Sequence, residues 1–433
     1  MNANSPFFKT VLIVQLIVLS LSVSGQTPQI DTTAHIKIQQ QTEHIFDSLV
    51  KIRRDFHMYP ELSEQEERTS KKIAEYLKAL GLDVYTNIGG YGVVGVLETH
   101  KKGKRIAWRA DIDALASNHP EDVDFSSKNE GVRHICGHDV HTTIALGIAN
   151  VLTHLKDSLT GTVYFIFQPS EENLAGAKAM ITDGLFDIIN PDEIYALHIA
   201  PMPEGIITTK ARNLYADYKG IELTFKNTKE NSAVINYTKN LLLSFQNVAP
   251  DSKFWDNRNL LDPNIGLGNP NTIFKNYITV NPNISSKETK NKLSIKAYLS
   301  AEKETQLDSI FLKIRSEIKK SEYSNQLVDI SFYNETALVL NNTQLTSKAT
   351  SAIRKVYGSN KVLPLYGAIP DGRSDDFSFF QQQIPGVYFL LGGSNFEKGI
   401  VSMPHTPSFA IDENSIKTGI ECFSSMILER LKP

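Results

Sequence analysis

Cysteine is almost absent. Two occur in 433 residues, Cys136 and Cys422, so a scaffold built on disulfides is excluded and at most one bridge is arithmetically possible. Neither sign of charge is in surplus: 45 Lys+Arg stand against 48 Asp+Glu, a formal net charge of −3. That balance gives no reason to expect a nucleic-acid partner or an acidic membrane surface. No repeat and no low-complexity linker occurs. No long apolar run follows residue 25, so no stable membrane anchor is expected. What remains is globular: 41% hydrophobic and 21% charged, long enough for two or three domains at roughly 150 residues each.

The amino terminus stands apart. Lys9 precedes the run Val11–Val23, in which ten of thirteen residues are Val, Leu or Ile. This is the length of a signal-peptide core and too short to cross about 30 Å of hydrocarbon. Val23-Ser24-Gly25 supplies small residues before a cleavage point at Gln26. Residues 1–25 are therefore expected to be a signal peptide of an exported protein, periplasmic or extracellular, with an uncleaved anchor as the alternative.

Periodicity sets out the rest. Ile45, Leu49, Ile52 and Phe56 form one helical stripe, and Ile73, Leu77 and Leu80 form a second that ends at Gly81. Strand-like runs follow at Gly92–Leu97 and Arg105–Ala110. Residues 139–158 read as a helix with Asp139 as its N-cap. Gly161–Phe167 is an unbroken apolar strand buried on both faces, a helix runs to about Gly184, and Glu193–His198 is again strand-like. Alternating strands and helices predict an α/β class core with a mixed sheet flanked by helices. From residue 214 to 335 the pattern changes to βαββαβ, with strands at Tyr218–Phe225, Thr272–Val280, Lys292–Leu299 and Val328–Tyr333. None of the 11 histidines falls there. The expected organisation is a discontinuous catalytic domain, 26–213 plus 336–433, carrying an inserted α+β lid domain at 214–335.

Chemistry concentrates in His134-Ile135-Cys136-Gly137-His138-Asp139-Val140-His141. If 134–138 is extended, Cys136 and His138 face one way and can grip one metal. Taken in isolation, a Cys-x-His is better explained as a buried cysteine beside surface histidines. Gln168-Pro169-Ser170-Glu171-Glu172 follows the buried strand, where sites assemble in open α/β sheets. One of its carboxylates can bind a metal while the other serves as a base; an acidic helix start is the plainer alternative. His198 and His405 would complete a five-donor set of Cys136, His138, Glu172, His198 and His405, a number that suits two divalent metals with open positions. Cys422, in an apolar helical pattern, reads as core.

The pattern also resembles a known family. Arg54–Ser63, Arg109–Leu115, His134–His141, Phe167–Glu172, Ala196–His198, Ser374–Phe377 and His405–Pro407 occur in the order found in the dimetal amidohydrolases that include hippurate hydrolase, aminoacylases, indole-acetyl-amino-acid hydrolases and related carboxypeptidases. The resemblance spans 45–213 and 336–425. It implies that Cys136, His138, Glu172, His198 and His405 bind two divalent ions, Zn or Mn, and that Glu171 is the general base of a hydrolase acting on a small acyl-amino-acid or peptide substrate. A homodimer through the lid is also implied. Asp113 is the candidate that orients a ligand histidine, or else caps a turn; Asp376 is a site wall or a helix cap. Three departures stand out. Ala116 replaces a usual Pro, the lid's Asn-rich strand motif is not evident around Val280–Ser286, and the lid's Gly-Gly-His-Ala segment is missing from Phe225–Ala233. Loss of that donor would cost on the order of 10²–10³ in rate unless Lys226, Lys229 or Asn231 substitutes. The competing expectation is a binding protein that keeps the metal pocket without catalysis.

Overall fold

The computed structural model describes residues 32–333, 338–370 and 374–432. The expected signal peptide at 1–25 lies outside them. Among the described residues no helix is long and apolar enough to cross a membrane.

In chain order the main elements begin with helices α1 (Thr32–Met58) and α2 (Glu67–Ala79), then strands β1 (Asp83–Ile88), β2 (Gly92–Glu98) and β3 (Arg105–Asp111). Helix α3 (His138–His154), β4 (Thr162–Gln168), α4 (Gly176–Thr182), β5 (Glu193–Pro203) and β6 (Ile207–Thr209) follow. A second group comprises β7 (Asp217–Lys226), α5 (Asn231–Leu243), β8 (Ile278–Val280), β9 (Ser285–Glu288), β10 (Lys292–Ala301), α6 (Glu304–Lys320) and β11 (Leu327–Tyr333). The chain returns through α7 (Thr343–Tyr357), β12 (Val362–Pro364), α8 (Phe377–Gln381), β13 (Gly386–Ser394) and α9 (Asn414–Leu431).

Eight strands form one mixed sheet in the order β1-β2-β4-β3-β5-β13-β6-β12. Its centre, β4-β3-β5-β13, is parallel, which is why these strands read as continuous apolar runs: helices cover both faces. One face packs Trp108, Phe165, Phe389 and Phe423 with α1, α3 and α9. Cys422 lies in that core. The other face packs Ile166, Ala196, Tyr388 and Phe377. The α/β class and mixed, helix-flanked sheet predicted from periodicity are what the chain adopts.

The second sheet is antiparallel, β8-β10-β7-β11 with β9 also on β10. Ile221, Leu223, Leu299, Ile310 and Ile314 fill a separate core beneath its helices. Four strands were expected and five are present, because β9 is fully exposed and offers no apolar alternation to mark it. The expected strand Thr272–Val280 is confined to Ile278–Val280. Its preceding apolar residues serve another purpose: Phe254, Leu267, Phe274 and Tyr277 pack into the core that holds Tyr215, Ile369 and Tyr388. Strand β1 was not foreseen either, since its residues are mostly exposed.

Two local expectations around the histidine cluster need correction. The chain bends at Cys136 rather than running extended, Gly137 adopts φ +96°, and His138 is already the first residue of α3. Gly137, not Asp139, is therefore the N-cap. Asp139 is instead buried between Arg53 Nε at 2.9 Å and His57 Nδ1 at 2.7 Å.

Candidate metal centre

The carboxyl ends of the central parallel strands deliver the reactive side chains, as open α/β sheets do. Strand β3 leads into Asp111 and Asp113, β4 into Glu171 and Glu172, and β5 carries His198 within its span rather than at its end. The left-handed turn at Gly137 brings Cys136 against the start of α3. A Cβ at that glycine would sit 3.2 Å from Phe409 Cζ and 3.4 Å from Ile199 Cβ.

All five expected donors converge. Cys136 Sγ lies 3.3 Å from His198 Nε2 and 3.1 Å from His405 Nε2. His405 Nε2 is 3.3 Å from Glu172 Oε2, and His138 Nε2 is 3.7 Å from Glu172 Oε1. Glu171 joins from the other side, 3.8 Å from His138 Nε2. Three overlapping clusters result, Cys136/His138/His198, Cys136/Glu172/His405 and His138/Glu171/Glu172, each with its ligand atoms within 4.8 Å of one another.

The hydrogen bonds state which ring nitrogens are available. His138 Nδ1 faces the Asp113 carbonyl at 3.0 Å and Asp113 Oδ1 at 3.1 Å. Both are acceptors, so Nδ1 carries a proton and Nε2 is the nitrogen left to face a cation. That Nε2 is buried with no hydrogen-bond partner, as is Glu172 Oε1. His198 Nδ1 likewise donates to Ile199 O at 2.7 Å, leaving its Nε2 lone pair facing Cys136. Buried polar atoms without partners are costly, and orphaned donors aimed at a shared point fit divalent cations. His141 is not such a donor: Nδ1 contacts Asp111 Oδ1 at 2.6 Å and Nε2 accepts the Ile199 N–H at 2.9 Å.

Burial opposes charge on the His138 ring, but Asp111, Cys136 and the Asp113 hydrogen bond together raise it well above its ordinary pKa, so a cation must displace a proton there. Burial and the neighbouring His141 keep the His198 ring far below its usual pKa, hence neutral as ligation requires. Burial pushes the Cys136 thiol well above its ordinary range, so a cation is needed to make it a thiolate. Burial and the charge of Asp375 raise the Glu171 carboxyl well above the usual carboxylate range, and bound cations act in the opposite sense. Burial opposes ionisation of Asp113, but the hydrogen bond and charge of His138, with the Glu172 N–H and Ser63 hydroxyl, together hold this carboxylate low.

Behind the donors, sequence reasoning named Asp113 and Asp376 but gave no role to Arg109, Asp111 or Asp375. Arg109 is fully buried and contacts Asp111 at 2.6 Å, Asp375 at 3.1 Å and Asp376 at 3.1 Å. Asp376 also accepts from Gln168 Nε2 at 2.6 Å and Ala177 N at 2.9 Å, so it ties β4, α4 and α8 together. Burial lifts its carboxyl to about 7. The signal was present in the Arg-Ala-Asp stretch, but its partners lie more than 260 residues away. Asn231, a suggested substitute for the lid histidine, is consumed locally: it accepts from Thr228 N at 3.0 Å and donates to Asn227 Oδ1 at 2.8 Å. Lys226 and Lys229 are exposed.

A mixed α/β sheet that gathers N, S and O donors beside its parallel strands is the arrangement of a metal-binding site. The chain belongs to peptidase family M20/M25/M40, whose profile matches residues 107–429. It is 30% identical to thermostable carboxypeptidase 1 of Saccharolobus solfataricus over 88% of this chain and 95% of that one. It is 29% identical to IAA-amino acid hydrolase ILR1-like 2 of Arabidopsis thaliana, over 96% and 94% respectively. Among solved structures, a dinuclear metal binding peptidase of the M20 family from Bacillus subtilis shares the fold at TM-score 0.72 and 23% identity, covering 90% of this chain and 99% of that chain.

Proposed function

We propose that the protein hydrolyses the amide bond of N-acyl amino acids or small peptides, with Glu171 as general base. Cys136, His138, Glu172, His198 and His405 hold two divalent ions, and the thiolate favours zinc over manganese for at least one of them. The carrying observation is the convergence of five donors, two of them bearing buried unpartnered atoms, beside the Glu171 carboxylate, 3.8 Å from His138 Nε2. When bound, the cations supply Lewis acidity, which lowers the pKa of water and opposes charge on the carbonyl oxygen. Glu171 takes the proton from the attacking water and returns it to the leaving nitrogen. Asp113 fixes the His138 tautomer from behind. Substrate enters beside His405, whose side chain is 56% exposed, through a cavity of about 420 Å³ that Ala116–His119, Ile135 and Pro407 also line.

The test is release of free amino acid from an acyl-amino-acid and dipeptide panel by protein loaded with Zn²⁺ or Mn²⁺. Turnover that Glu171→Gln abolishes supports the reading. Turnover that survives this change, or none on any substrate with metals retained, contradicts it. The reading extends to export through residues 1–25 and to a homodimer through 214–335, checked by the amino terminus of the mature protein and by its mass in solution.

A further inference from the structure

Glu171 and Glu172 sit on a turn that is held from outside the metal centre. Ser170, directly before them, has φ +55°, a conformation that an L-residue other than Gly, Asn or Asp rarely adopts. Three contacts from the segment between α1 and α2 support it. Its N–H donates to Glu66 Oε1 at 2.8 Å, and its Oγ accepts the Glu64 N–H at 3.0 Å and donates to Glu66 Oε1 at 3.4 Å. Glu64 is itself left-handed, at φ +68°. Glu66 is fully buried, and its second oxygen has no hydrogen-bond partner. The same segment reaches the other side of the site: Ser63 Oγ donates to Asp113 Oδ2 at 2.7 Å, an oxygen that also receives the Glu172 N–H at 3.0 Å. The segment is anchored at its start, where Glu61 accepts from Arg68 N and Thr69 N at 3.0 and 2.8 Å, and where Ala114 N donates to Glu61 O at 2.8 Å.

We propose that Glu66 is a positioning residue of the metal centre, acting through the Ser170 N–H to fix the turn that presents Glu171 and Glu172. Reach, rather than charge, is what matters. A buried carboxyl with one oxygen on a backbone donor and the other unpartnered does the work of a neutral amide equally well. The inference rests on the roles given above to Glu171 and Glu172.

Three variants test it: Glu66→Gln keeps the acceptor in place, Glu66→Asp keeps the acid but withdraws it by one methylene, and Glu66→Ala removes it. Kinetics on the substrate turned over by the parent are paired with metal retention, measured as ions per chain after graded chelator dialysis. Glu66→Asp and Glu66→Ala should lower kcat about 10–100-fold with little change in KM and should release metal at a correspondingly lower chelator concentration, the range expected for groups behind metal ligands. Glu66→Gln should stay within a few-fold of the parent in both. Should the Ala protein not fold, the Asp and Gln pair decides. Glu66→Asp with parental kcat and metal retention overturns the proposal, and so does Glu66→Gln as impaired as Glu66→Asp. A parent that turns over nothing contradicts the functional reading alone, because metal retention still scores the turn.

Discussion

Glu171 and Glu172 are adjacent in sequence yet face different tasks, and the difference lies in their contacts. Glu172 meets His405 and His138 at 3.3 and 3.7 Å, whereas Glu171 sits against the carboxylates Asp375 and Asp376. Glu171→Gln should therefore lower kcat by about 10²–10⁴ while metal content stays at the parental level, since removal of a general base has that size; elemental analysis and steady-state kinetics on one sample check both halves. Asp113→Asn should weaken metal affinity about 10–100-fold, because it disturbs the acceptor that sets the His138 tautomer, and chelator competition reads this directly. The five converging residues could be named from sequence, Cys136, His138 and Glu172 from short, dense motifs and His198 and His405 only as members of the set. Arg109, Asp111 and Asp375 were not assigned, since nothing local marks a buried charge whose partner arrives from the far end of the chain.

Among the elements, α3 depends most on a single residue. Gly137 turns the chain from Cys136 into the helix at φ +96°, so Gly137→Ala places an L-residue in the left-handed region at about 1–2 kcal/mol and crowds Phe409. A Tm several degrees lower, together with earlier metal loss, is the expected result of a thermal melt and a chelator titration. Helix periodicity located α1, α2 and α3, whose apolar stripes face one core of the large sheet, and α6, whose stripe faces the separate core of the second sheet. It failed at 272–277, where aromatic side chains are buried against the other sheet's core rather than in strand pairing. Asn231 shows the same limit: a polar residue at a helix start reads as a possible substrate contact until its turn-closing bonds are seen.

Across the whole molecule, buried ion pairs couple stability to pH. Glu121 accepts from His57 Nε2 at 2.9 Å and pairs with Arg133 at 2.8 Å. Burial opposes its charge, but His57, Arg133 and the Ser127 N–H together hold its carboxyl down at about 2, against an ordinary value of 4.5. A depressed carboxyl stabilises the fold above the unfolded pKa and loses that contribution as pH falls through the folded one. Glu121→Gln should thus lower Tm at pH 7, and the gap from the parent should narrow as pH is brought from 4.5 toward 2. A gap that widens in acid contradicts this assignment. The change from the mixed to the antiparallel sheet was readable from the switch in pattern at 214, but nothing in the sequence announced that residues in 247–277 pack into a core of the first sheet.

The central claim is that five donors gather two divalent ions beside Glu171. Anomalous diffraction from crystals of the metal-loaded protein tests it most directly. The account predicts two peaks per chain, both bounded by Cys136, His138, Glu172, His198 and His405, with Glu171 outside the coordination of either. A single peak, or peaks placed at Asp111 and His141 instead, would contradict it.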